Sequence, residues 1–169
     1  VTGEGYYDYI RENVCGPAGM ENTDCYEMDC PVENLAIGYY MAQGCAGGCR
    51  NNLYEHTIKG GPAGGGFSTA PDLHRFARAL QTGGLVSEES LDALLTDHFD
   101  HGYGYGFGIR EEPGGTVVGH GGGFVGINAN LDMFLDSGYI AAVMSNHDGA
   151  GSPVDMRIAD LVSRIPLPE

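Results

Sequence analysis

Five consecutive residues, Gly119-His120-Gly121-Gly122-Gly123, separate the apolar stretch Thr116-Val117-Val118 from a strand-like run between Ile127 and Leu135. Glycine at this density does not propagate a helix. The chain holds 29 glycines with no Gly-X-Y period, so a helix bundle and a collagen-like rod are both excluded, and the glycines mark turns, bulges and close backbone approaches between strands. A basic side chain followed by glycines on an edge strand lets a substrate lie against backbone. No Cβ blocks the approach, and N–H groups are left free to donate.

The 169 residues suit one domain, 1–169, with enough apolar content for a core. The formal charge is −15, with seven arginines and the single lysine Lys59 set against 23 acidic residues spread along the chain. Nucleic acid is excluded as a partner, and the carboxylate excess suits a solvated surface and a salty habitat. No window is long and apolar enough to cross a bilayer, and Val1-Thr2-Gly3-Glu4 has no signal-peptide pattern.

The five cysteines fall between residues 15 and 49. Cys25, Cys30, Cys45 and Cys49 are placed to form two disulfides of open connectivity, leaving Cys15 free, which implies an oxidising compartment. Zinc fits less well, because the gaps inside the pairs differ from the usual two-residue knuckle, although His56 is near enough to ligate. Reduced structural thiols are the third reading.

Tyr6, Tyr9, Ile10 and Val14 recur at helical spacing and predict a helix over 5–14, stopped by Gly16-Pro17. A Cys-rich insert covers about 21–60, with a strand expected from Leu35 to Met41. Ser68-Thr69-Ala70-Pro71-Asp72 announces a helix burying Leu73, Phe76, Ala77 and Leu80, with Ser68 as a capping hydroxyl. A second helix starts at Ser87. The period then changes to two, predicting strands over Tyr103 to Ile109, Thr116 to Val118, Ile127 to Leu135 and Tyr139 to Ser145. A closing helix runs from about Pro153 to Ile165. Helices packed on an antiparallel sheet make the fold class α+β.

Tyr6-Tyr7-Asp8-Tyr9, Pro17-Ala18-Gly19-Met20, Ala63 to Thr69 with Asp72-Leu73, Gly104 to Gly108, and Gly119-His120-Gly121-Gly122 together resemble, in sequence order, the serine β-lactamase and DD-peptidase-like family. The likeness is to the class C-related branch that also holds esterases and peptidases. It implies the C-terminal part of a β-lactamase/transpeptidase-like fold and a penicillin-binding-protein-like serine hydrolase, exported to the periplasm or secreted, without metal or organic cofactor. In that family a Ser-x-x-Lys serine attacks, a Tyr-x-Asn motif assists, and a Lys-Thr-Gly strand or a His-containing substitute faces them. Here neither Ser-x-x-Lys nor Tyr-x-Asn occurs. The resemblance therefore implies an incomplete domain, a C-terminal fragment inactive alone, whose parent acts on a small-molecule or peptide substrate.

By the same resemblance His120 takes the place of the motif lysine, with Gly121, Gly122 and Gly123 lining the substrate and the Gly123 N–H forming one side of an oxyanion hole. Histidine is a weaker cation than lysine, which favours neutral esters, amides or peptides. Two alternatives stand beside this reading: a complete non-catalytic binding or regulatory module, and an α/β-hydrolase-like esterase using Ser68 with Asp132 or Asp136 and His147. The family's sheet is completed by segments that precede the region matched by Tyr6, so an uncovered sheet edge and a homo-oligomer are expected.

Overall fold

A computed structural model describes residues 2–44 and 47–167. The chain opens with α1 (Tyr6–Ile10), a π-helical turn (Arg11–Cys15) and α2 (Gly16–Ala18), and the segment expected as an insert holds the hairpin β1 (Tyr39–Met41) and β2 (Cys49–Asn51). Then follow α3 (Ala70–Gln81), α4 (Glu88–Leu95), the strands β3 (Gly108–Glu112), β4 (Gly115–Phe124), β5 (Ile127–Phe134) and β6 (Ile140–Ser145), and α5 (Gly151–Val162). The four strands form one antiparallel meander in the order β3-β4-β5-β6. The α+β expectation holds.

Alternation along β4 divides the core between two faces of this sheet. Val118 packs with Leu131, Met133 and the α3 residues Ala77 and Leu80, while Leu91 and Leu94 of α4 close the same face. Val117 points the other way, to Phe134, Ala141 and the α5 residues Ala159 and Val162. A third cluster of Cys15, Ala18 and Met20 holds the N-terminal helical segment against Phe76 and Ala79 of α3.

Helix starts follow their sequence signals, with one change of cap. Thr69, not Ser68, is the N-cap of α3: its side chain accepts from the Asp72 N–H at 3.3 Å, and Pro71 occupies the first turn. Ser68 lies one residue too early and instead meets Thr23 Oγ1 at 2.8 Å. Ser87 caps α4 by accepting from Ser90 N–H at 3.2 Å.

Four expected boundaries move, the first two for a local reason. The first helix passes through Gly16-Pro17 to a left-handed Gly19, because the wider π turn lets a proline without an N–H sit in a helical path. Residues 103–107 form a turn rather than a strand, with Gly104 N–H donating to Phe107 C=O at 2.8 Å and Gly106 at a positive φ of 89°. The insert strand shrinks from 35–41 to β1, and β4 extends through the whole glycine block.

Asp72 is the fold's most enclosed charge, at 0% exposure. Its carboxylate accepts from Asn22 N–H at 2.7 Å, Thr23 Oγ1 at 2.9 Å and Arg75 Nη1 at 2.6 Å, tying the entry of the insert to the start of α3. Asp72→Ala removes the common acceptor of these donors and is expected to cost about 2–4 kcal/mol in urea unfolding. A loss below about 0.5 kcal/mol, the usual surface value, would show that the clamp contributes nothing.

Candidate active site

Strand β4 changes character at His120. Its first half pairs with β3 from Glu112↔Gly115 to Gly108↔Gly119, where β3 ends, while pairing with β5 continues from Val117↔Phe134 to Phe124↔Ile127. From His120 onward β4 is therefore a sheet edge on the β3 side, and its residues 120–124 are all exposed. Beyond Gly119 no strand among the described residues pairs with β4 on that side, the arrangement that leaves a sheet edge open to a ligand.

The glycines of this strand serve two purposes. A Cβ on Gly119 would lie 2.1 Å from Asp132 Oδ1, and one on Gly121 would lie 2.4 Å from Asn130 Oδ1, so these two make room for side chains of β5. Gly122 has no atom within 4 Å of its Cβ position, and Gly123 meets Asn128 Nδ2 only at 3.6 Å. By alternation Gly122 shares a face with His120. An open, side-chain-free surface thus adjoins an exposed imidazole.

His120 Nδ1 lies 2.6 Å from the Gly121 carbonyl, which leaves Nε2 as the outward nitrogen, and the Tyr103 ring stands edge-on at 5.9 Å between centroids. These two side chains border a cleft of about 420 Å³ whose floor is polar, made by Arg110, Glu112, Asn130, Asp132 and Asp155. Arg110 Nε donates to Glu112 at 2.6 Å, and its two terminal nitrogens donate to Asp132, which is 3% exposed. Burial works to lower the Arg110 guanidinium, but the hydrogen bonds it donates to Asp132 and Glu112 outweigh it and raise it. Asp155 is pushed up to about 6, by burial first and by the neighbouring Asp132 second.

The cysteines hold no disulfide among the described residues. Cys15, Cys25, Cys30 and Cys49 are thiols, and Cys45 lies outside the described residues. Cys25 lines a second cavity with Tyr6, Tyr7 and Phe67, whereas Cys30 sits at the exposed surface beside Glu27 and Asp29, and Cys49 points its thiol to Met41 Sδ at 3.6 Å. Burial, followed by Asp24, raises both the Cys15 and Cys25 thiols. His56 stacks on Phe67 at 5.5 Å, and among the described residues it belongs to no group of side chains close enough to share a metal ion.

The Ser68 esterase reading does not assemble. Ser68 bonds Thr23, Asp132 is paired with Arg110, Asp136 accepts from Thr116 N–H at 2.7 Å, and His147 Nδ1 faces its neighbour's Asp148 carbonyl at 3.3 Å. Ser68 also follows no strand of a parallel sheet, the setting that a nucleophile elbow requires.

The family model described as Beta-lactamase matches residues 1–163. The chain belongs to the β-lactamase family. This family member is 29% identical over 153 residues to PbpX of Bacillus subtilis (strain 168), which bears the name of a penicillin-binding protein; the match takes in 85% of this chain and 35% of that one. The crystal structure of a penicillin-binding protein from Bacillus halodurans superposes with a TM-score of 0.87 at 27% identity, covering 95% of this chain and 51% of the other. A D-stereospecific amidohydrolase from Streptomyces sp. shares the fold, with a TM-score of 0.75 at 23% identity over 97% of this chain and 50% of its own. The β-lactamase-family chain thus spans about a third of its curated relative and about half of each solved neighbour. Among the described residues no helix is long and apolar enough to cross a membrane.

Asp155 gives the cleft a pH signature. Its folded value of about 6 lies above the ordinary carboxylate range, so its contribution to stability is complete at low pH and lost as pH rises through about 6. Asp155→Asn is expected to raise the thermal midpoint near neutral pH and to flatten its dependence between about pH 4 and 6. Melting curves across that range test this, and a lower midpoint for the variant at neutral pH would refute it.

Proposed function

We propose that this chain forms the substrate-strand side of a serine acyl-transfer site acting on neutral esters, amides or peptides. The observation that carries the reading is the unpaired, exposed half of β4, where His120 stands beside the open surface of Gly122. A substrate carbonyl laid against this edge would receive the Gly123 N–H as one oxyanion donor, in a position where charge develops as the carbonyl is attacked. His120, with Nε2 outward, would orient the substrate and take part in proton transfer to the leaving group. Relatives named as penicillin-binding proteins support acyl transfer and export to the periplasm or cell exterior.

The attacking serine is supplied by residues beyond these 169, since the sequence has neither Ser-x-x-Lys nor Tyr-x-Asn and Ser68 has no base beside it. These residues act as one portion of a β-lactamase-like domain, into which the Cys-bearing segment of about 21–60 is inserted. No metal or organic cofactor enters the proposed chemistry.

Assays with neutral nitrophenyl esters and peptide amides test the reading. The full-length gene product is expected to turn them over, and the 169-residue chain alone to stay at background. In the full-length product, His120→Ala is expected to lower kcat/KM about 100-fold or more, the range of a lost acid-base group. Turnover by the isolated chain that disappears in Ser68→Ala would overturn the assignment.

A further inference from the structure

A single buried amide joins the insert to the end of the glycine strand. Asn52 is 3% exposed, although Asn51 and Leu53 on either side of it are exposed. Its Oδ1 accepts from Gly38 N–H at 3.1 Å, and its Nδ2 donates to Val125 C=O at 2.9 Å. Its own backbone N–H donates to Gly38 C=O at 2.9 Å. One end of the side chain therefore holds the insert beside β1, and the other holds the turn between β4 and β5.

The joint is closely packed. A Cβ on Gly38 would lie 2.5 Å from both Asn52 Nδ2 and the Gly126 carbonyl oxygen. Gly126 sits at a positive φ of 78°, and a Cβ there would lie 2.9 Å from Gly38 C and Tyr39 N. Other polar side chains grip the same end of the strand. Asp148 accepts from Gly126 N–H, and Asn128 Nδ2 donates to Gly122 C=O at 3.1 Å while its Oδ1 accepts from Ser152 N–H at 2.6 Å.

Glycines bring no side-chain packing to fix the course of a strand. With β3 absent beyond Gly119, the direction of the free edge depends on β5 and on what anchors the turn. We propose that Asn52 is a positioning residue for the His120–Gly123 strand, locking the insert and the β4–β5 turn into one unit that sets where the free edge and the Gly123 N–H point. The insert thereby becomes part of the machinery that shapes the site. The consequence for activity rests on the acyl-transfer reading above; the consequence for strand mobility does not.

The test compares Asn52→Ala, Gly38→Ala and their double variant in the full-length gene product, with Tyr54→Ala as a control at a side chain of the same insert that is 99% exposed. Amide hydrogen exchange over residues 120–128 is expected to rise about tenfold or more in both single variants, while amides of α3 and β6 keep their protection. With an active enzyme, kcat falls about tenfold or more and KM moves less than about threefold, because a displaced oxyanion donor is felt mainly in the transition state. The double variant should be no worse than the worse single one, as expected for two lesions in one joint.

Unchanged exchange over 120–128 in Asn52→Ala, or a rise spread equally over α3 and β6, overturns the proposal. Should Asn52→Ala fail to fold, Gly38→Ala decides, because its methyl group displaces the same asparagine while leaving it in the chain. A gene product inactive on every ester and amide sinks the functional reading alone, since the exchange measurement still answers the structural one.

Discussion

Pairing of β4 with β5 is the interaction on which the site depends. β4 carries glycine at positions 119, 121, 122 and 123, and each costs about 0.5–1 kcal/mol of strand stability relative to alanine through greater freedom when unfolded. Without side chains of its own to pack, this stretch takes its course from a neighbour. The eight register pairs from Val117↔Phe134 to Phe124↔Ile127 supply it, and β3 covers only the first part of the other side. The resulting strand is fixed on one flank and open on the other.

Side chains of β5 rise under the same glycines and explain two of them without reference to any substrate. Asp132 occupies the space a Cβ of Gly119 would need, and Asn130 does the same at Gly121. Asp132 can be buried because Arg110, one strand beyond β4, neutralises it with two hydrogen bonds. Gly122 is different in kind. Nothing in the described structure fills the space over it, so packing does not explain its lack of a side chain, and the open surface is what the proposed approach of a substrate backbone would need.

Much of this was legible beforehand because hydrophobic period and cap chemistry are local. Leu73, Phe76, Ala77 and Leu80 announce α3, and the alternation before and after the glycine block announces the sheet. Site geometry was less legible, since the early end of β3 depends on the turn at residues 103–107, where glycines at alternate positions imitate a strand pattern yet adopt positive φ at Gly106. Arg110 and Asp132 left a faint signal as charged residues at inward strand positions. Asn52 left none, because its partners are the backbone groups of Gly38 and Val125, which any sequence would supply.

The same limit applies to the insert as a whole. Its cysteine spacing suggests cross-links, yet what holds it among the described residues is a set of polar attachments: Asp72 to Asn22 and Thr23 at its entry, Asn52 to Gly38 and Val125 in its middle, and Asn146 Nδ2 to Ile37 C=O at 2.9 Å. Two of these attachments, through Asp72 and Asn52, are buried, where a lost hydrogen bond costs the full desolvation of the group left behind. Exposed side chains such as Met41, Tyr54 and Ile58 show that the segment gains little from apolar burial of its own. A loop fastened in this way has its geometry decided at a few points. One of those points is the turn that ends the glycine strand, so a substitution in the insert can be felt along the strand proposed to line the substrate.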